Sequence, residues 1–347
     1  MSEHIKTGHN QASSYNASNR NGSSSLGYFL LKYAISAPSC LNAQPWLFES
    51  QGNKIKIIAD GSRWRAIADA DQRELNISAG CALENILIAA EHFRYCHQMS
   101  YSEDEQAAVI VLNPGGKPSS FRDPELFEAI PERYTNRKIY RDKPLSKGIL
   151  KSLQEVCVEE GIKLHLAYDT ETKRKANDLL AKAYSIQLCD PAFRKELGYW
   201  LGQCLFSDSW ARSKITQMIA TNPNLGKNRA KKFSELLMSA SAFGIISSEM
   251  DNHKAQVEAG QVLERVWLKA TALGIGLHPI SQILEIPEIK EEASELNPIP
   301  DLCPQIAFGL GYAEPSPKHI QRRPISEFLI LEIEPRLRQS VGNTQSR

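Results

Sequence analysis

Ala79-Gly80-Cys81-Ala82-Leu83-Glu84 and Ala259-Gly260-Gln261-Val262-Leu263-Glu264 carry one pattern, Ala-Gly-x-x-Leu-Glu, 180 positions apart. With that offset Ile88 falls on Leu268 and Ala90 on Ala270. Each copy lies in a long apolar stretch, 75–93 and 255–273. The first is apolar nearly all round, which predicts a helix buried on most sides. The second is amphipathic, and Gly274 and Gly276 end it. Each sits among β-like segments and precedes a short buried strand, at 107–112 and at 305–309. A constant offset between two such units marks an internal repeat. Two related halves packed as an intramolecular pseudo-dimer are therefore expected.

Around these helices the pattern is mixed. Leu26, Phe29, Leu30, Tyr33 and Ala34 have helical spacing, and Pro38 stops that helix. Segments 46–49 and 55–58 flank Gln51-Gly52-Asn53, a hairpin signal. A second series starts near Pro131, with an amphipathic helix at 147–159 and an alternating strand at 162–168. Helical patterns follow at 170–188, 191–201 and 228–238, and a buried strand at 243–247. The polar stretch 207–232, with Thr221-Asn222-Pro223-Asn224 at its middle, reads as a mobile excursion. Helices and mainly antiparallel strands without strict βαβ alternation predict an α+β fold. The expected division is a disordered tail at 1–25, a first half at 26–131 and a second half at 132–335.

Composition narrows the function. Of 347 residues, 42% are apolar and 23% charged, as in ordinary globular proteins. Lys plus Arg number 41 against 40 Asp plus Glu, which argues against a dedicated nucleic-acid binder. No apolar run approaches the length of a transmembrane helix. Seven cysteines, an odd count without C-x-x-C, argue against a disulfide framework or zinc ribbon. Reduced thiols in a cytoplasmic protein are expected. Residues 1–25 are rich in Ser, Asn and Gly, lack the apolar core of a signal peptide, and cannot offset their ordering entropy.

Four segments carry candidate chemistry. In Ala37-Pro38-Ser39-Cys40-Leu41-Asn42-Ala43-Gln44-Pro45-Trp46 two prolines stiffen a loop whose polar groups suit the edge of a planar ligand. A helix stop followed by a strand start would have the same composition. Arg133-Tyr134-Thr135-Asn136-Arg137, followed by Arg141, suits a phosphate, since guanidinium donates in a fork. It equally suits a solvated linker. Lys318 to Pro324 holds Arg322 and Arg323, either surface or a second basic contact. Gly274-Ile275-Gly276-Leu277-His278-Pro279-Ile280-Ser281 lets backbone approach a flat ligand. It lacks G-x-G-x-x-G and leaves a helix instead of opening one, so it is no dinucleotide fingerprint. His278 reads as structural, and His92 and His97 lack the spacing of metal ligands. No metal site is expected. Cys40 has no local signature of a nucleophile.

In this order, the segments resemble the nitroreductase family of flavoproteins over about residues 26–331, and most of all its Acg-type branch of two fused nitroreductase-like halves. The resemblance rests on Ala37-Pro38-Ser39-x-x-Asn42-x-Gln44-Pro45-Trp46, Asp71-x-Arg73-Glu74, Arg133-x-Thr135-Asn136-Arg137, Ala259-Gly260-Gln261, and Gly309-Leu310-Gly311-Tyr312 through Arg323-Pro324.

That resemblance implies FMN between the halves, with one complete site per chain. The second half would supply Arg133, Thr135, Asn136, Arg137, Pro279, Ile280, Ser281, Arg322 and Arg323. The first half would supply Pro38, Ser39 and Asn42. Arg133, Arg137 and Arg323 are expected at the phosphate, and backbone at Pro279, Ile280 and Ser281 against the ring. The implied activity is hydride transfer from NAD(P)H to a small-molecule acceptor, by a monomer without nucleic-acid or membrane partner. In the Acg-type branch a long segment covers the flavin, and 207–232 is the candidate lid. A non-catalytic FMN-sequestering protein, or a flavin oxidase, is then an alternative. No catalytic acid or base emerges from the sequence.

Overall fold

A computed structural model describes residues 26–102, 107–117, 119–203, 223–314 and 321–330. The expected tail at 1–25 and most of the expected lid lie outside the described residues.

Helix α1 (Leu26–Ala34) leads to the hairpin β1 (Trp46–Gln51) and β2 (Lys54–Ala59). Gly52 turns this hairpin with φ +61°, a conformation open to glycine at no steric cost. Then come α2 (Arg73–His92), β3 (Tyr95–Ser102), β4 (Ala107–Pro114) and α3 (Pro124–Ala129). The second series is α4 (Lys147–Gln154), β5 (Ile162–Ala167), α5 (Thr170–Cys189), α6 (Pro191–Leu201) and α7 (Pro223–Ser239). It closes with β6 (Ala242–Ser248), α8 (His253–Ala272), β7 (Gly276–Pro279), α9 (Pro287–Ser294) and β8 (Cys303–Gly311). No described helix is long and apolar enough to cross a membrane.

The strands form two antiparallel sheets, ordered β1-β2-β4-β3 and β5-β6-β8-β7. In both, the first strand pairs with the second, the second with the fourth, and the fourth with the third. The long helix follows the second strand in each, and both ends of α8 stand 180 positions after those of α2. The fold is α+β with two related halves, and the sequence repeat is a repeat of topology.

Helices α2 and α8 meet at the centre. Every residue from Arg73 to Glu91 is buried, because α2 has α8 on one side and its own sheet on another. The helices approach at their glycines: a Cβ on Gly80 would fall 2.1 Å from the carbonyl oxygen of Val257, and one on Gly260 would fall 2.2 Å from that of Ile77. One turn away Asn76 Nδ2 donates to Gln256 Oε1 at 2.8 Å, joining two more positions related by the offset. Two extended segments add to the sheets. Thr135 bridges Leu277 of β7, and Leu329 lies parallel to Phe48 of β1.

Three local features differ from expectation. Strand β3 was not legible, since Cys96, Gln98, Met99 and Ser100 are exposed and no apolar face marks it. Strand β7 is short and holds Gly276 and Pro279. The expected excursion is helical from Pro223 onward. Proline suits a first helical turn, and Ala230, Phe233 and Leu237 give α7 an apolar stripe against the second core.

Candidate functional site

A cavity of about 410 Å³ opens between the halves, within the roughly 300–1,000 Å³ typical of ligand clefts. The first half contributes the loop Pro38, Ser39, Cys40, Leu41 and Asn42, and one face of α2 with Glu74, Ile77, Ser78 and Cys81. The second half contributes Arg133, Thr135, Arg137, Leu263, Trp267, His278, Pro279, Ser281 and Arg322. Lys232, Phe233 and Leu236 of α7 also line it.

The loop holds an unusual shape through its own polar groups. Leu41, Asn42 and Gln44 have φ of 49°, 53° and 52°, sterically costly for residues with a Cβ. Ser39 Oγ accepts from the Gln44 N–H at 2.9 Å, and the buried Gln44 Nε2 donates to Asn42 O at 3.3 Å. Arg322 then clamps the loop from the other half. It donates to Ala37 O and Asn42 Oδ1, both at 2.9 Å, and to Ser36 O at 2.8 Å. Arg133 donates to the same Ser36 oxygen at 2.9 Å.

Two guanidinium groups thus converge beside the cavity. Arg133 lies 4.7 Å over the Trp267 ring and 3.5 Å from Glu264, whose side chain is fully buried. Burial and the neighbouring Arg133 hold Arg322 down at about 9, with Glu264 offsetting part of this. Burial pushes Glu264 up to about 7 despite Arg133. The cluster is short of negative charge, which is the condition for recruiting an anion. Ile77, Leu236, Leu263 and Trp267 add an apolar part to the lining. A flat, largely apolar ligand with an anionic arm fits both regions.

Of the residues singled out in the sequence, Pro38, Ser39, Asn42, Arg133, Thr135, Arg137, Pro279, Ser281 and Arg322 are in the wall. Three stand behind it or away from it. The Asn136 side chain closes its own turn, donating to Lys138 O at 2.8 Å and accepting from Lys138 N at 3.1 Å. Ile280 packs into the core beside Ile283. Arg323 turns from the cavity, because adjacent residues of an extended segment face opposite ways. Its Nε donates to Glu327 at 2.8 Å, and its guanidinium sits 4.6 Å over Phe328. Sequence reasoning missed Glu74, Ile77, Ser78 and Cys81, whose helical spacing traces one face of α2. It also missed Leu263 and Trp267 on α8, and Lys232, Phe233 and Leu236 on α7.

The position related to Glu264 by the repeat is Glu84, and its surroundings differ. Arg122 Nε donates to Glu84 at 2.6 Å, and Arg265 Nη1 lies 2.9 Å from it. Arg122 also reaches Glu91 at 2.8 Å, and Arg265 pairs with Glu159. Here two arginines face three carboxylates, so no positive charge is left over. Although burial opposes ionisation, the two arginines bring Glu84 down to about 2. Arg265, fully buried, stands where the repeat places Asn85 in the first half.

No family model matches the chain. Two Mycobacterium tuberculosis proteins, from strains CDC 1551 and H37Rv, each named "Putative NAD(P)H nitroreductase", are 24% identical over 275 residues, covering 76% of this chain and 78% of theirs. Among solved structures, a nitroreductase with bound FMN from Desulfitobacterium hafniense is 15% identical with a TM-score of 0.41, over 60% of this chain and 100% of that one. One with bound FMN from Bacteroides fragilis is 18% identical with a TM-score of 0.40, over 60% and 100%. An NADPH:FMN oxidoreductase from Vibrio harveyi, complexed with NAD+, is 12% identical with a TM-score of 0.38, over 58% and 74%.

Proposed function

We propose, from the chain's kinship with nitroreductases, that it is an FMN-dependent oxidoreductase binding one FMN in the cavity between its halves. The observation that carries this is the convergence of Arg133 and Arg322 on Ser36 O at the edge of a cavity that Arg137 also lines and that includes the apolar Ile77, Leu236, Leu263 and Trp267. A phosphate there would supply the negative charge that Glu264 alone does not. Arg322, Arg133 and Arg137 would hold the phosphate, and Thr135 would add a hydrogen bond. Backbone at Pro279 and Ser281 would lie against the ring system, and Ser39 and Asn42 would close the site from the other half.

When bound, FMN supplies hydride chemistry, taking electrons from NAD(P)H and passing them to a small acceptor. The chain's own part is orientation and electrostatics. Arg322 ties the Pro38–Asn42 loop to the second half, so the two sides of the cavity keep one spacing. Ile77, Leu263 and Trp267 exclude water from the inner wall. The three carboxylates around Arg122 and Arg265 leave the related position without spare positive charge, in keeping with a single site per chain.

One observation favours the second reading, a flavin-sequestering protein. Lys232, Phe233 and Leu236 of α7 line the cavity, and Phe233 stacks on His278 at 5.1 Å and on Tyr184 at 5.8 Å. A helix anchored in this way restricts entry of a nicotinamide. Anaerobic mixing with NADH or NADPH separates the readings. Rapid bleaching of the flavin supports the oxidoreductase, and a flavin that stays oxidised supports storage.

A further inference from the structure

Beside the cavity lies a second buried charge cluster that the binding scheme does not use. Arg65, 6% exposed, directs Nη1 at three groups: Cys40 Sγ at 2.6 Å, Glu74 Oε2 at 2.9 Å and Glu285 Oε1 at 3.5 Å. The ligand atoms of Cys40, Glu74 and Glu285 all lie within 4.8 Å of one another. A metal ion would suit such a set, but the Arg65 nitrogen already provides the cation. One guanidinium therefore faces two buried carboxylates. Gln187 Nε2 donates to the other oxygen of Glu285. Glu74 Oε1 is buried and has no hydrogen-bond partner, although Glu74 is part of the cavity wall.

We propose that Glu74 and Glu285, bridged by Arg65, hold one proton between them beside the cavity, and that Glu74 delivers it to the electron acceptor. Two carboxylates this close in a buried site do not both ionise readily. Burial and Glu74 push Glu285 up to about 7, with Arg65 offsetting part of the rise. The surrounding groups do not remove the need for the proton. Arg73 faces Glu285 but is engaged by Asp71 at 3.2 Å, and Glu196 also faces Arg65. Asp69 accepts from the N–H groups of Glu74 and Leu75 at 2.9 and 3.0 Å, and burial raises it too. The Cys40 thiol, pushed up by burial, stays protonated and adds no negative charge.

The chemistry balances with the donor of the proposed function, on which this inference rests. For a quinone acceptor, the overall exchange breaks the nicotinamide C–H bond and gives the quinone the equivalent of a hydride, two electrons and one hydrogen. The nicotinamide is oxidised and the quinone reduced. The pair's proton, delivered from Glu74, completes the hydroquinone, and solvent water returns one proton to the pair for the next turnover.

The test has two arms. Infrared difference spectra of the full chain, recorded from pH 5 to pH 9, should show protonated-carboxyl absorption lost near pH 7 that is smaller by one carboxyl in Glu285→Gln, with Glu264 and Asp69 supplying the remainder. The arm needs no flavin. In the second arm the flavin-loaded protein is reduced with dithionite and mixed with p-benzoquinone or with ferricyanide, which takes electrons without a proton. In Glu74→Gln the ratio of the quinone rate to the ferricyanide rate should fall by about a hundredfold, in the range of general-acid catalysis. In the wild type that ratio should decline above about pH 7, and in Glu285→Gln the decline should vanish. A carboxyl band unchanged in Glu285→Gln, or a ratio unchanged in Glu74→Gln, overturns the proposal. A chain that binds no flavin overturns the oxidoreductase reading, and the infrared arm still decides whether the pair holds a proton.

Discussion

Gly80 and Gly260 are each other's counterparts across the central helix pair. Each lies against the backbone carbonyl of the residue three positions before the other. The contact is backbone on backbone, so a rotamer change cannot relieve it. Gly80→Ala and Gly260→Ala should each destabilise the chain by about 1–3 kcal/mol or more, the usual cost of overpacking. In urea unfolding, Gly148→Ala is the control. A Cβ there meets nothing closer than 3.9 Å, so the midpoint should not fall.

Glu84 should be a strong stability determinant. Removing its charge takes from the buried Arg122 and Arg265 the carboxylate they share and leaves each with one partner, Glu91 and Glu159, at a cost of about 1.5–3 kcal/mol, the usual worth of hydrogen bonds to charged groups. Glu84→Gln should show a loss of this size by denaturant titration at pH 7. The folded carboxyl titrates at about 2, below its ordinary value of 4.5. Its stabilisation is therefore present above pH 4.5 and is lost as pH falls through about 2. The difference between wild type and Glu84→Gln should shrink over that window. A constant difference down to pH 2 would contradict the pairing.

The arginines should rank by position. Arg322→Ala removes a buried cation that faces the cavity and clamps the loop, and FMN affinity should fall by about 2–5 kcal/mol. Arg323→Ala should cost much less, since its guanidinium is occupied by Glu327 and Phe328. Equilibrium dialysis of FMN measures both. Equal losses would mean that the two side chains share the phosphate.

How far this was legible depends on the residue. The central helices announced themselves through Ala79-Gly80 and Ala259-Gly260, because close packing at a fixed offset requires small residues at both positions. The Pro38–Asn42 loop and the Arg133–Arg137 segment were legible because their polar residues are few and contiguous. The α2 and α8 walls were not. Ile77, Cys81, Leu263 and Trp267 look like ordinary core positions, and only the packing of the halves turns one face toward a cavity. Arg322 and Arg323 were indistinguishable as a pair, since the direction of an extended segment is set by its partner. Glu74 was quoted in a motif without a role, which only its approach to Arg65 and Glu285 suggests.

Phe233 tests the part of α7 over the cavity. Phe233→Ala deletes its stacking on His278 and Tyr184 and should ease opening of the helix. FMN release and reduction by NAD(P)H should both quicken by about tenfold, equivalent to ~1.4 kcal/mol. Anaerobic stopped-flow absorbance follows both. If neither rate changes, α7 is not a barrier and the storage reading loses its support.

The central claim is one FMN per chain, held between the halves with the Arg133–Arg322 pair at its anionic end. Its most direct measurement is the flavin content of the purified protein and of Arg322→Ala, determined by extraction and chromatography against protein concentration. The expected result is one FMN for each 347-residue chain and a large loss in Arg322→Ala. Two flavins per chain, FAD in place of FMN, or full retention in Arg322→Ala would contradict it.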